Sequence, residues 1–219
     1  DQTIVDFQIE DGIVDSDEFT IGTVVISRLT LRLRTFDEIP ANAKVVPYVA
    51  LKTTDGQTDW EPLGEFYIDN REKLPNGVWV FECYDKLVFA DVAYISQLTY
   101  PTTMQAVWDE ICDRLGFTYD ESVQIDPTYT LNAGPAGYTC RQVMGFIAGV
   151  NGASVYAGRD GVIRFKHFAA SDVPKHDVTA SDYIRVKQTN PPKTYTRIVA
   201  IYDEQDKLSY EAGEGDENH

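Results

Sequence analysis

The sequence predicts an α+β chain that is mainly β, and three observations predict it. Ser27 to Arg34 alternates without a break, with Leu29, Leu31 and Leu33 on one side and Arg28, Thr30, Arg32 and Arg34 on the other. That is the pattern of a strand with one buried and one wet face. Turn dipeptides follow at short intervals, Asp55-Gly56 and Asn76-Gly77, as expected of a small antiparallel barrel or sandwich. Two helix starts show a threonine followed three residues later by glutamine, Thr102/Gln105 and Thr139/Gln142. In such a capping box the hydroxyl accepts from a free helix N–H, and the glutamine carbonyl accepts from the N–H of the cap.

The elements follow in order. Val45 to Leu51 reads as a second strand, with Pro47 demanding an edge position or a bulge because it has no N–H to donate. Trp60 to Gly64 leads into a strand at Glu65 to Asp69, and Asn76-Gly77 returns the chain along Val78 to Tyr84. Asp85 to Tyr94 reads as a short helical link, and a boundary is expected between Gln97 and Pro101. The first capped helix puts Met104, Val107, Ile111 and Leu115 on one face with Trp108 beside them, and Gly116 stops it. Residues 118–138 are irregular, with one short strand. The second helix puts Val143, Ile147 and Val150 on one face and ends at Gly152. A hairpin turning at Arg159-Asp160-Gly161 comes next. Tyr183 to Lys187 and Tyr195 to Tyr202 read as the last clear strands, with a turn at Asp203 to Asp206 leading into Leu208 to Glu211.

Composition narrows the function. The chain has 219 residues, 43% of them hydrophobic, enough for one large core or two small ones. No apolar run reaches the ~20 residues of a membrane span. Neither a signal peptide nor an initiator methionine is present, so a trimmed or excised segment is expected. Cys83, Cys112 and Cys140 are odd in number and widely spaced; they predict buried thiols made in a reducing compartment, without a disulfide framework. The net charge of −16 argues against sequence-specific nucleic-acid binding. That charge is uneven. Both ends are acidic, whereas Arg159 to Arg197 holds more bases than acids; this reads either as ordinary variation on a solvated acidic surface or as complementary faces of a self-assembling ring.

No reactive constellation is legible. His167 lies between Lys166 and Phe168 on an expected strand, with nothing to orient it as a general base. There is no His-Glu-x-x-His motif and no Cys/His cluster. The acidic turns at Asp55–Asp59 and Asp203–Asp206 lack calcium-loop spacing, and the Gly134 and Gly158 segments lack a phosphate-loop Lys-Ser/Thr. No catalytic residue, cofactor or metal is therefore expected. Trp60, Phe66, Tyr67, Trp79, Phe81 and Tyr84 cluster in the β region. They fit a barrel core with a protein interface. An aromatic platform, making the chain a carbohydrate- or cell-surface-binding β module, is the alternative.

Several segments taken in order resemble a known family: Glu18 to Thr23, Leu29 to Leu33, Trp60 to Ile68, Phe81 to Leu87, and Cys140 to Ala148 with Gly152 and Asp160-Gly161. Together they resemble the tail-tip (baseplate) hub proteins of long-tailed phages and prophages, including the N-terminal hub regions of tail-associated lysins and related minor tail proteins. The resemblance implies two small antiparallel β-barrel-like domains with the two short capped helices in the second. It divides the chain into a hub domain at 1–96, a second α+β hub domain at 97–182 and completing strands at 183–211; residues 212–219, acidic and without apolar content, are expected to be a disordered tail. It further implies a non-enzymatic homotrimer of the virion tail, made in the bacterial cytoplasm. Such a ring joins the tail tube to a distal fibre, spike or lysin. Its partners would be the distal tail or tube protein, the tape measure and the fibre or lysin domain, with no membrane contact and with DNA passing through an acidic lumen. Subunit contacts are expected at Arg28, Arg32, Arg34, Arg159, Arg164, Lys166, Arg185, Lys187 and Arg197.

Overall fold

The computed structural model describes residues 3–12, 20–168, 179, 198–203 and 208–212. The chain divides into two units, Asp1–Ala170 and Ser171–His219. The first begins with β1 (Thr3–Glu10), β2 (Arg28–Arg34) and β3 (Lys44–Val45). Four two-residue strands follow: β4 (Tyr48–Val49), β5 (Lys52–Thr53), β6 (Gly56–Gln57) and β7 (Glu61–Pro62). β8 (Phe66–Lys73) and β9 (Val78–Tyr84) complete the series. Five of these strands form a curled antiparallel half-barrel in the order β1-β2-β9-β8-β3. The fold is α+β and mainly β.

The leucine alternation of β2 sets the register. Leu29 lies opposite Cys83, Leu31 opposite Phe81 and Leu33 opposite Trp79. Leu29, Leu33, Phe81 and Cys83 join Phe66 and Ile68 in one buried cluster, with Leu31, Trp79, Ile39 and Ala43 packed against it. β8 runs four residues beyond the expected Asp69, because a bulge between Ile68 and Asn70 absorbs the polar stretch. Past the bulge Arg71 and Lys73 share a face with Trp79, their cationic ends 6.0 and 5.3 Å from its ring centre. The strand expected at Val45 to Leu51 is broken. Its start pairs with β8 and its middle, as β4, with β7. Pro47 sits at the break, donating nothing while its carbonyl accepts from the Leu63 N–H at 2.8 Å.

A 3-10 turn at Lys86–Ala90 takes the place of the helical link, capped by Asp85. Then come β10 (Thr102–Thr103), α1 (Met104–Leu115), β11 (Thr130–Leu131), α2 (Cys140–Val150), β12 (Ala153–Ala157) and β13 (Ile163–His167). The Glu110 carboxylate on α1 accepts from the Tyr94 hydroxyl, the Ser96 hydroxyl and the Gln97 N–H at 2.5, 2.9 and 2.7 Å, tying the linker to the helix.

The first capping box is not as expected. Thr103, one residue later, is the N-cap and accepts from the Ala106 N–H at 3.1 Å. Alanine then occupies the third helical position and cannot return the bond. Gln105 instead donates to Asp109 and Tyr119. At α2 the box is complete. Thr139 Oγ1 accepts from the Gln142 N–H and the Gln142 carbonyl from the Thr139 N–H. Val143 and Ile147 are buried as expected, but Val150 is exposed. It lies in the last turn, whereas α2 enters the core through Val143, Met144, Ile147 and Ala148.

Glycine governs the seat of α2. The chain before β2 passes across the helix at Gly22, whose φ of +84° suits glycine. A Cβ on Gly145 would stand 2.5 Å from the Gly22 carbonyl oxygen, and one on Gly149 would stand 3.2 Å from the Gly22 Cα. Residues 22–25 then run beside β12, exchanging Gly22 N–H to Ala153, Val155 N–H to Thr23 and Val25 N–H to Val155 bonds of 2.8–2.9 Å. On the far side the Ile163 N–H donates to Thr118. The hairpin is thus widened on both edges, and its inner residues Ala153, Val155, Ile163 and Phe165 cover Trp108, Ile111 and Met144.

In the second unit β14 (Ile198–Asp203) and β15 (Leu208–Ala212) form an antiparallel pair, with Ile198 opposite Ala212. The strand expected at Tyr183 to Lys187 and the acidic tail beyond Ala212 lie outside the described residues.

Candidate interaction surfaces

Arg28, Arg32 and Arg34 project from the outer, polar face of the sheet. The register puts Glu10 opposite Arg28, Asp6 opposite Arg32 and Thr3 opposite Arg34. Arg28 also forms an ion pair with Glu82 across β9, at 2.7 Å. The acid-rich start of the chain therefore lies beside this arginine row within one subunit. Arg32 and Arg34 remain exposed.

Arg164 on β13 is engaged three times. It grips the Asp160 carboxylate with two hydrogen bonds of 2.7 and 2.8 Å and donates through Nε to Asp120 at 2.6 Å. Such fork geometry is the strong form of the arginine–carboxylate contact. It holds the Asp160 carboxyl down at about 2 and pushes the guanidinium pKa up. The contact clips segment 118–122 and the hairpin turn to one strand. Arg159 is exposed at that turn. Lys166 lines a cavity of about 250 Å³ with Asp11, Ser154 and Tyr156. Arg185, Lys187 and Arg197 lie outside the described residues.

The titratable groups are held by packing. Burial pushes the Cys83 and Cys112 thiols up to about 12 and raises that of Cys140, away from the thiolate form that reactivity needs. Exposed His167 has Nε2 3.3 Å from the Ser122 carbonyl oxygen and packs edge-on against Phe165. Among the described residues no three His, Cys, Asp or Glu side chains converge as a metal site would require. No described helix is long and apolar enough to cross a membrane. Among the described residues Asp85 is the buried carboxylate. It accepts from the Ser27 N–H at 2.7 Å and the Leu87 N–H at 2.9 Å, while Asp11 accepts from the Ser27 hydroxyl. Burial pushes its carboxyl up to about 6, opposed by those donors and reinforced by Asp11.

The aromatic cluster divides. Phe66 and Phe81 are in the core, Trp79 is half-buried beneath two cations, and Tyr67 packs edge-on with Phe89 at 5.0 Å. Trp60 stands apart, 61% exposed, on the ribbon formed by β4–β7 and β5–β6. Residues 51–60 of that ribbon are all exposed.

Sequence reasoning missed three surfaces. One is β1, a border strand with Ile4, Val5 and Phe7 exposed. The second is the ribbon itself, for which the only sign was its Asp55-Gly56 turn. The third is the outer face of α2, where Phe146, Val150 and nearby Tyr138 and Ile21 are exposed; the helical spacing of Gln142, Phe146 and Val150 marked that face.

No protein-family model matches the chain, and no curated protein matches it. Among solved structures it is similar to the 43 kDa tail protein of prophage MuSo2 from Shewanella oneidensis, with a TM-score of 0.42 and 14% identity. The likeness covers 66% of this chain and 47% of that one, so the chain spans about half the length of its structural neighbour.

Proposed function

We propose that this chain is a structural subunit of a phage or prophage tail tip: a ring-forming, trimeric hub that joins the tail tube to a distal fibre, spike or lysin and converts no substrate. One structural observation carries the reading beside the ordered sequence resemblance. The half-barrel has two unlike open edges. Among the described strands β1 has a neighbour on one side only, and β8 beyond Ile68 has β9 alone beside it, because β3 pairs with Tyr67 and Phe66. Unlike edges on one subunit suit head-to-tail contacts that close a ring. An unpaired border strand with exposed apolar side chains favours such addition over solvent. The charge of −16 would keep DNA from adhering to the lumen.

Sedimentation and negative-stain imaging of the protein, alone and mixed with a tail-tube protein, test the reading. Threefold rings are expected. A chain that stays monomeric in both conditions, or that hydrolyses peptidoglycan or peptide substrates, would overturn it.

A further inference from the structure

We draw no further inference here: the strongest candidate, the exposed apolar face of α2 at Phe146 and Val150 with Tyr138 and Ile21 beside it, carries none, because its one base, Arg141, is already ion-paired with Asp91 at 2.7 Å and nothing in the structure shows what covers it.

Discussion

The first unit holds two cores of very different size. The half-barrel buries six residues in its cluster, whereas the helices and the widened hairpin bury nineteen. The small core supports the long strands, the open edges and the β4–β7 ribbon. The large one carries most of the buried apolar area, and with it most of the hydrophobic stabilisation. The difference suggests a division of labour in which one region anchors the unit and the other offers surfaces at lower local stability.

The largest effects should come from testing that division directly. Trp108→Ala empties the centre of the large core, where the side chain is wholly buried, and should cost about 3–5 kcal/mol in denaturant unfolding. Phe81→Ala should cost a similar amount by the same rule, but with hydrogen-exchange protection lost in β2, β8 and β9 and kept in α2. Equal loss in α2 would show that the two cores unfold as one.

Next is pH. Asp85 joins the regions through Ser27 and Leu87, with its carboxyl pushed up to about 6 from 3.8. The folded state holds this proton more tightly than the unfolded state does. Its contribution therefore favours folding below about pH 4 and is lost as pH rises to about 6, a change of about 2–3 kcal/mol. Asp160, held near 2, acts in the opposite sense, contributing above about pH 4 and fading below it. Asp85→Asn should flatten the stability profile between pH 4 and 6. A profile identical in slope to that of the native chain would remove Asp85 as its source.

Smaller effects probe the helix seat and its caps. Gly145→Ala puts a methyl against the Gly22 carbonyl and should cost about 1–3 kcal/mol from overpacking, offset by about 1 kcal/mol of helix propensity. A rise in melting temperature would mean that the crossing chain yields. Thr139→Ala breaks a reciprocal box and should cost about 1 kcal/mol, more than Thr103→Ala, whose cap is one-sided. Gln142→Ala should recover part of that difference.

Legibility followed the same division. β2 was readable because its alternation is unbroken, and β9 because the Asn76-Gly77 turn returns the chain along Val78 to Tyr84. α1 and α2 were readable from period, cap and terminal glycine, and the large core largely follows from their buried faces. β1 was not: Val5, Phe7 and Ile9 alternate with Asp6, Gln8 and Glu10, but Ile4 falls on the polar side, and a register shift between Ile4 and Asp6 is what makes the strand fit. The first capping box was misplaced because two adjacent threonines offer the same chemistry, and only backbone geometry selects the second. The arginine row was legible as a wet face. Its partners were not, since Asp6 and Glu10 reach it through pairing between strands 18 or more residues apart, as Glu10 opposite Arg28 shows. The ribbon and the exposed face of α2 depend on what lies across from a residue in space, which spacing along one element does not encode.

The crossing at Gly22 bears on how the chain can reach its folded state. Thr23 hydrogen-bonds Ser154, 131 residues further along, while β1 and β2, on either side of it, belong to the sheet. The opening stretch is thus stitched through both regions and cannot finish folding until the hairpin near the end of the unit exists. During synthesis the amino-terminal strands must wait for β12 to emerge, a high contact order that slows folding. Trimming the first 26 residues would take a border strand from one region and a hairpin neighbour from the other at a single stroke.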